Sequence, residues 1–178
     1  MISESYPWKR DLLRDADIIE RWAAKKTNSE YRFMLLEKKI FLSAFVVRKL
    51  IEDRKLTDAI KEYSISCRVF PARGTDVDIM NWHHIDEHYD LSSQQRADTN
   101  IKSIASQIIH NLIFIFEFIK EGSSPISGFV VASDWGKDKQ LYGVTLTDYL
   151  IAIRSVGNDW VKEYRAEKTK NGWKISQR

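Results

Sequence analysis

Apolar residues recur at helical spacing through the first third of this chain. Residues 8–26 combine an apolar stripe with basic side chains on the opposite side, and residues 31–52 are apolar on nearly every side. These patterns predict an amphipathic helix followed by a central helix, with Ser29 as the N-cap of the second. Thr57 is expected to cap a short third helix over residues 58–63.

The middle of the chain changes from a β-like run to a further helical pattern. Residues 65–70 have the composition of a strand, and the run stops at Pro71. Ser92 and Gln95 fit a capping box, and apolar residues then recur every three or four positions. We therefore expect a strand, a loop, and a helix over residues 92–111.

Three apolar runs separated by turn residues follow, at residues 112–120, 128–133 and 141–146. Short turns between consecutive strands predict an antiparallel meander. The first run is apolar on both faces, so we expect it to be an inner strand that packs on the helix over residues 31–52.

The last part of the chain contains one more helix and a hairpin signal. Thr147 is expected to cap a helix that Gly157 closes in the left-handed conformation. The Asn171-Gly172 pair is typical of a tight turn between two antiparallel strands.

These elements together predict an α+β fold, with N-terminal helices packed on a mostly antiparallel sheet formed by a meander plus a C-terminal hairpin. The length of 178 residues and the 43% hydrophobic content suit one domain with its own core. We expect residues 1–64 to form its helical part and residues 65–178 its mixed part.

Cysteine content and net charge bear on the cellular compartment and on the class of partner, but they do not identify a substrate. Cys67 is the single cysteine, which excludes an intramolecular disulfide and favours a reducing cytoplasm. The N-terminus has neither the apolar run nor the cleavage site of a signal peptide, and no segment is long and apolar enough to span a membrane. The net charge of +3 permits a polyanionic partner but does not require one.

All four histidines fall within residues 65–111, where acidic residues outnumber basic ones by six to four. The order from His84 to His88 resembles the H-x-x-E-H motif of inverted zinc peptidases, over five residues of the chain. That resemblance implies His84 and His88 as metal ligands and Glu87 as the residue that activates a bound water. No third protein ligand can be assigned.

Two other interpretations of this histidine segment stay open. Asp76 and Asp78 offer hard oxygen ligands, although an Asp-rich loop is also ordinary turn chemistry. Alternatively, the segment is a polar turn whose larger side chains anchor it to the body: Trp82, Ile85 and Tyr89. In that case the histidines need no metal.

His110 and Arg96 form a second catalytic candidate, because a helix over residues 92–111 would place both on one polar face. His110 near the helix C-terminus would act as an acid, with Arg96 close to an anionic substrate. The alternative is a solvated helix face that ends in a histidine.

Two further charged features require an explanation. Glu117 interrupts an apolar strand, and we expect a lysine or arginine of a neighbouring strand to pair with it. The C-terminal hairpin interleaves Tyr164 and Trp173 with cationic residues, an arrangement suited to single-stranded nucleic acid. These cations are Lys162, Arg165, Lys168, Lys170, Lys174 and Arg178.

No complete catalytic set or phosphate-binding glycine loop is present, and there are only seven glycines. The sequence therefore favours an interaction or regulatory protein, of an accessory or immunity type, that binds another protein. Two alternatives are a metal-assisted hydrolase using His83, His84 and His88, and a nucleic-acid binder using the C-terminal hairpin. No cofactor can be named.

Overall fold

The structure is a computed structural model and describes residues 1–27, 29–120, 125–169 and 172–178. The helices in these residues are α1 Tyr6–Ala23, α2 Glu30–Glu52, α3 Asp58–Lys61, α4 Ile85–His88, α5 Ile101–Ile109 and α6 Leu146–Asn158. The strands are β1 Ser64–Pro71, β2 Gln95–Asn100, β3 Asn111–Phe118, β4 Ile126–Ser133, β5 Gln140–Thr145, β6 Tyr164–Thr169 and β7 Gly172–Gln177. None of the helices in this described part is both long enough and apolar enough to cross a bilayer.

The first two helices form where the apolar spacing predicts them, and side chains fix the corner between them. The Ser29 hydroxyl accepts a hydrogen bond from the backbone N–H of Arg32, which confirms Ser29 as the N-cap of α2. The fully buried Arg32 guanidinium donates to three backbone carbonyls around the end of α1. One cation therefore satisfies acceptors that the helix itself leaves unpaired.

The side chain of Lys9 in α1 is buried, although the amphipathic pattern of the sequence places basic residues of this helix on its solvent side. Lys9 is 1% exposed, whereas its neighbour Trp8 is 39% exposed. The Lys9 ammonium donates to the carbonyls of Lys55 and Asp159, at 2.9 and 2.5 Å. Burial lowers the pKa of Lys9, and the Asp159 carboxylate opposes that shift. The side chain thus links α1 to two distant segments of the chain.

Five strands form one antiparallel sheet in the order β2-β1-β5-β4-β3. Strands β3, β4 and β5 are the predicted meander, and β1 joins it by pairing with β5. The two C-terminal strands pair only with each other and form a separate hairpin. The predicted α+β fold, with helices on an antiparallel sheet formed by a meander plus a C-terminal hairpin, is confirmed.

The position predicted for the strand at residues 112–120 is wrong, because β3 lies at an edge of the sheet. The inner strand that is buried on both faces is β4. The predicted packing on α2 is confirmed: the Phe114 ring lies 5.0 Å from that of Phe41, and Phe116 and Phe118 both contact Phe33. Helix α2 therefore covers the aromatic side chains of β3, although β3 has a neighbouring strand on one side only.

The predicted helix over residues 92–111 is also wrong in its first half. Residues 95–100 form β2, which pairs with β1 along its whole length. The helix α5 begins only at Ile101, where the Asn100 side chain accepts from the N–H of Lys102. Long-range strand pairing overrides the local helical spacing here.

Three predicted helix ends differ from the structure. Thr145, not Thr147, caps α6, and its hydroxyl accepts from the Asp148 N–H. Gly157 lies within α6 and is not left-handed. Thr57 stands at the start of α3, but its hydroxyl donates to the Asp159 carboxylate instead of capping the helix.

The described residues include only Gly172 of the predicted turn in the C-terminal hairpin. Asn171 lies outside the described residues, so the predicted Asn-Gly turn is described only at Gly172. That glycine has a φ of +114°, a conformation that other residues rarely adopt. Strands β6 and β7 pair as the hairpin prediction requires.

The two faces of the sheet are covered differently. Its inner face packs against α5, α6 and the aromatic side chains of α2, and α1 packs in turn on α2 and α6. This side contains most of the core. On the outer face a smaller apolar cluster is covered by the segment that connects β1 and β2, residues 72–94, here called the β1–β2 loop. That cluster contains Phe70, Val77, Tyr89, Ile113, Val130, Ala132 and Leu141.

Candidate functional site

The histidines of the H-x-x-E-H sequence lie in the β1–β2 loop and do not share a helical face. The helix α4 spans only four residues, Ile85–His88. His84 precedes it with φ −85° and ψ 58°, which is not a helical conformation. The expected i, i+4 relationship between His84 and His88 is therefore absent, because the helix begins one residue too late.

His88 is buried and both of its ring nitrogens are engaged within the loop. Its Nε2 lies 3.1 Å from the carbonyl oxygen of Asn81, which can only accept, so Nε2 carries the proton of this bond. Its Nδ1 lies 2.7 Å from the Thr75 hydroxyl. In the neutral ring this hydroxyl occupies the lone pair that a metal ion would need. His88 therefore links the segments around Thr75 and Asn81 within the loop by side-chain hydrogen bonds.

His84 and Glu87 are exposed on the far side of α4. The His84 Nδ1 lies 3.7 Å from the Glu87 carboxylate, and the His83 ring is 4.1 Å from the His84 ring. Across the described residues, no three side chains among His, Cys, Asp and Glu are placed to hold one metal ion. The metal roles of His84 and His88 and the catalytic role of Glu87 stay predictions.

Arg96 and His110 are not brought together. Arg96 lies on β2, opposite Arg68 of β1, and its side chain is exposed. His110 follows the last residue of α5, and its ring lies 4.6 Å from that of Trp135. The nine-residue helix α5 stands between them, so the shared polar face expected from the sequence does not exist.

The β1–β2 loop is firmly anchored to the outer face at both of its ends. Tyr89 is fully buried, its hydroxyl donates to the Lys137 carbonyl, and burial raises its pKa. Its backbone forms a β-bridge with Ala72. Trp82 and Ile85 are partly buried against the same cluster, which confirms the interpretation of an anchored turn.

The tip of this loop, Ile79 and Met80, is held in one shape by its neighbours. Asp78 accepts from the backbone N–H groups of Met80 and Asn81, at 2.7 and 3.1 Å. The Asn81 side chain in turn accepts from the Asp78 N–H and donates to the carbonyl of Asp76. This reciprocal arrangement fixes a turn of the Asx type.

Both side chains of the tip project into solvent. Ile79 is 75% and Met80 is 77% exposed, so almost none of their apolar surface is buried. Val77, two residues earlier, is buried in the outer cluster. Because these two side chains bury almost no apolar area, they contribute almost nothing to the stability of the free protein.

The sequence on either side of the tip carries negative charge only. Residues 74–95 contain no lysine or arginine but include five acids: Asp76, Asp78, Asp86, Glu87 and Asp90. Only Asp90 of these forms an ion pair with an arginine in the described part of the chain, with Arg73 at 3.6 Å. Hydrogen bonds from Ser92 and Ser93 lower the pKa of Asp90 to about 2. The loop is thus an acidic surface on a chain of net charge +3.

The basic hairpin lies apart from this loop. Every residue of β6 is exposed, and Lys168 stands directly opposite Trp173 of β7. Trp173 is 64% and Tyr164 57% exposed, so both rings are available for stacking. Lys170 lies outside the described residues. The hairpin's predicted role in nucleic-acid binding stays a prediction.

Sequence reasoning missed the tip, although a signal for it was present. Asp78 and Asn81 are both turn formers that bond to nearby backbone, and they flank two large apolar residues. Apolar side chains inside a turn of this kind cannot all reach a core.

Comparisons with known proteins do not assign a role to this loop. No protein-family model matches the chain, and neither the curated proteins nor the solved structures contain a match to it. A function can therefore be proposed only from the residues themselves.

Proposed function

We propose that this chain is a protein-interaction module that docks through its β1–β2 loop on another protein. The observation that carries the proposal is the tip: two apolar side chains, three-quarters exposed, on a hydrogen-bonded turn. Binding sites of proteins typically concentrate their affinity in a few apolar or aromatic anchors that enter a pocket. A rigid tip loses little conformational entropy on binding.

The partner is defined by the chemistry that would complement the loop. Ile79 and Met80 require an apolar pocket, and methionine adapts its shape to such a surface. Asp76, Asp86 and Glu87 are exposed in the same loop and form no close ion pair with a lysine or arginine in the described residues, although Asp76 interacts with the charge of Lys137. A basic rim on the partner's pocket would complement these acids. The expected partner is a protein with an apolar pocket framed by lysine or arginine.

Site-specific photo-crosslinking tests this proposal. A photoreactive residue replaces Met80 in the full-length chain, and the same residue at Trp173 is the matched control, because that side chain is similarly exposed. We expect a discrete protein adduct at position 80 that is absent at position 173 and is reduced by Asp86→Asn with Glu87→Gln. Equal adducts at both positions would contradict the proposal.

The other two functions predicted from the sequence receive less support. A metal-assisted hydrolase needs His88 as a ligand, but the Thr75 hydroxyl and the Asn81 carbonyl engage both of its nitrogens. Nucleic-acid binding has the exposed Trp173 in its favour, but Glu163 and Glu167 offset part of the positive charge of the hairpin. A cytoplasmic location also stays a prediction; the buried Cys67 is compatible with it.

A further inference from the structure

A second feature of the outer face lies mostly outside the β1–β2 loop, which contributes only Gln94 to its described lining. Beside the region that the loop covers, the sheet forms an open groove of about 460 Å³ between strands β1, β2 and β5 and the start of α6. A groove of this volume suits a molecule of metabolite size. Its lining includes Ser66, Arg68, Gln94, Gln95, Arg96, Gly143, Thr145 and Asp148.

Two arginines on neighbouring strands line this groove. Arg68 of β1 and Arg96 of β2 are directly paired residues of neighbouring antiparallel strands, so their side chains lie on the same face. Like charges in that relation destabilise a sheet. Glu117 offsets the charge of Arg68, and an anion held by both guanidinium groups would relieve the remaining repulsion.

The two guanidinium groups differ in how far they are neutralised. Arg68 pairs with Glu117 through Nη2, which leaves Nη1 and Nε without a partner among the described residues. The Arg96 guanidinium has no hydrogen bond or ion pair within the described parts of the chain. Arg96 therefore has no direct ion-pair partner in the described residues, and the two guanidinium groups together offer several free N–H donors.

One carboxylate, that of Asp148, also lines the groove. Asp148 accepts from the Thr145 hydroxyl at 2.6 Å and lies in the first turn of α6, where the helix dipole favours a negative charge. Glu117 is likewise engaged by Arg68. Neither acid forms a direct ion pair with Arg96 in the described residues, so the Arg96 N–H groups are free to donate to a bound anion.

The floor of the groove is kept open by a glycine. A Cβ at Gly143 would lie 2.9 Å from Nη2 of Arg68 and 3.1 Å from its Cζ, closer than packed atoms allow. Glycine lets the guanidinium lie against the strand here, whereas a Cβ would require the end of the Arg68 side chain to shift. The position of Arg68 in the groove thus depends on the residue beneath it.

We propose that this groove binds a small anion whose oxygen atoms accept hydrogen bonds from Arg96 and Arg68. Carboxylate and phosphate groups both match the planar fork of a guanidinium. The shared chemistry is an anionic oxygen pair on a molecule of metabolite size. The proposal does not depend on the docking role of the β1–β2 loop.

Titration of the ¹⁵N-labelled full-length protein tests this, with inorganic phosphate and succinate as separate probes in a low-salt buffer free of other oxyanions. We expect the amide signals of Ser66, Arg96 and Gly143 to shift with at least one probe, with a Kd below about 1 mM. A response to phosphate alone identifies a phosphate site, a response to succinate alone a carboxylate site, and a response to both a general oxyanion site. Absence of any localised shift overturns the proposal.

Variants separate a built site from general attraction by surface charge. Arg96→Gln should weaken binding at least about tenfold, and Arg96→Lys should recover only part of it because lysine lacks the fork. Arg14→Gln, on the exposed surface of α1, is the matched control and should leave the titration unchanged. Equal effects of Arg96→Gln and Arg14→Gln would overturn the proposal, as would an unchanged affinity in Arg96→Gln.

Discussion

Arg68 of β1 forms an ion pair with Glu117 of β3, although strands β5 and β4 lie between them. The side chains bridge the intervening strands at two glycines, Gly143 of β5 and Gly128 of β4. Glu117 therefore has a cationic partner, as the sequence predicted, but this partner comes from a strand three places away in the sheet and not from a neighbouring strand. The ion pair reaches across the outer face because neither glycine has a side chain to block it.

The two glycines should respond differently to alanine. At Gly128 the added Cβ would collide with the backbone carbonyl of Val144, which cannot move without shifting β5. At Gly143 it would meet only the end of the Arg68 side chain. We expect Gly128→Ala to cost about 3 kcal/mol of unfolding free energy and Gly143→Ala about 1 kcal/mol, measured by urea denaturation.

Arg68→Ala supplies the control for that comparison. Removing the guanidinium should abolish most of the cost of Gly143→Ala and leave the cost of Gly128→Ala unchanged. Equal costs in both backgrounds would show that the guanidinium does not lie over Gly143.

Arg32 should be among the least replaceable residues of the helical layer. It donates to the carbonyls of Trp22, Ala23 and Thr27 while fully buried. Arg32→Ala removes all three hydrogen bonds and the buried side chain that fills this corner, so we expect a loss of about 3–5 kcal/mol in chemical denaturation. Arg32→Lys should recover little, because an ammonium cannot reproduce the fork. Full recovery by lysine would contradict this account.

The two histidines of the H-x-x-E-H sequence should differ in their effect on stability. His88→Ala removes the contacts with Thr75 and Asn81 and should cost about 2 kcal/mol, with faster amide exchange in the β1–β2 loop. His84→Ala affects an exposed ring and should stay within about 0.5 kcal/mol. If both variants instead lost a bound metal ion and equal stability, the two histidines would be ligands.

Asp90 should make the β1–β2 loop sensitive to acid. Hydrogen bonds from Ser92 and Ser93 hold its pKa at about 2 in the folded protein, against an ordinary value of 3.8. The unfolded chain therefore takes up the proton first, and the stabilisation is present above pH 4 and lost as the pH falls towards 2. The difference in unfolding free energy between the wild type and Asp90→Asn should shrink over that interval. A constant difference would contradict the assignment.

The sequence predicts most of the helices and the meander, because their apolar spacing coincides with burial in the final fold. It fails at residues 95–100, where a helical pattern forms β2 after pairing with β1. It also fails for β3, whose two apolar faces suggested an inner strand. In both places the deciding interaction comes from a distant part of the chain, which local spacing does not encode.

The candidate sites depend on the same long-range contacts. The groove needs Arg68 and Arg96 on paired strands and Gly143 beside them, three residues far apart in the sequence. Isolated glycines within strands were a usable signal for a close approach of this kind. The tip of the β1–β2 loop was recognisable in composition, but only the structure shows that Val77 is buried while Ile79 and Met80 are not.

The most direct measurement of the central claim is the affinity of the crosslinked partner, once purified, for wild-type protein and for the double variant Ile79→Ser with Met80→Ser. Both side chains are exposed in the free protein, so the variant should unfold at the same denaturant concentration as the wild type. We expect the Kd to rise at least about 100-fold, with Trp173→Ser leaving it unchanged. A change of less than about threefold in the double variant would contradict docking through the tip.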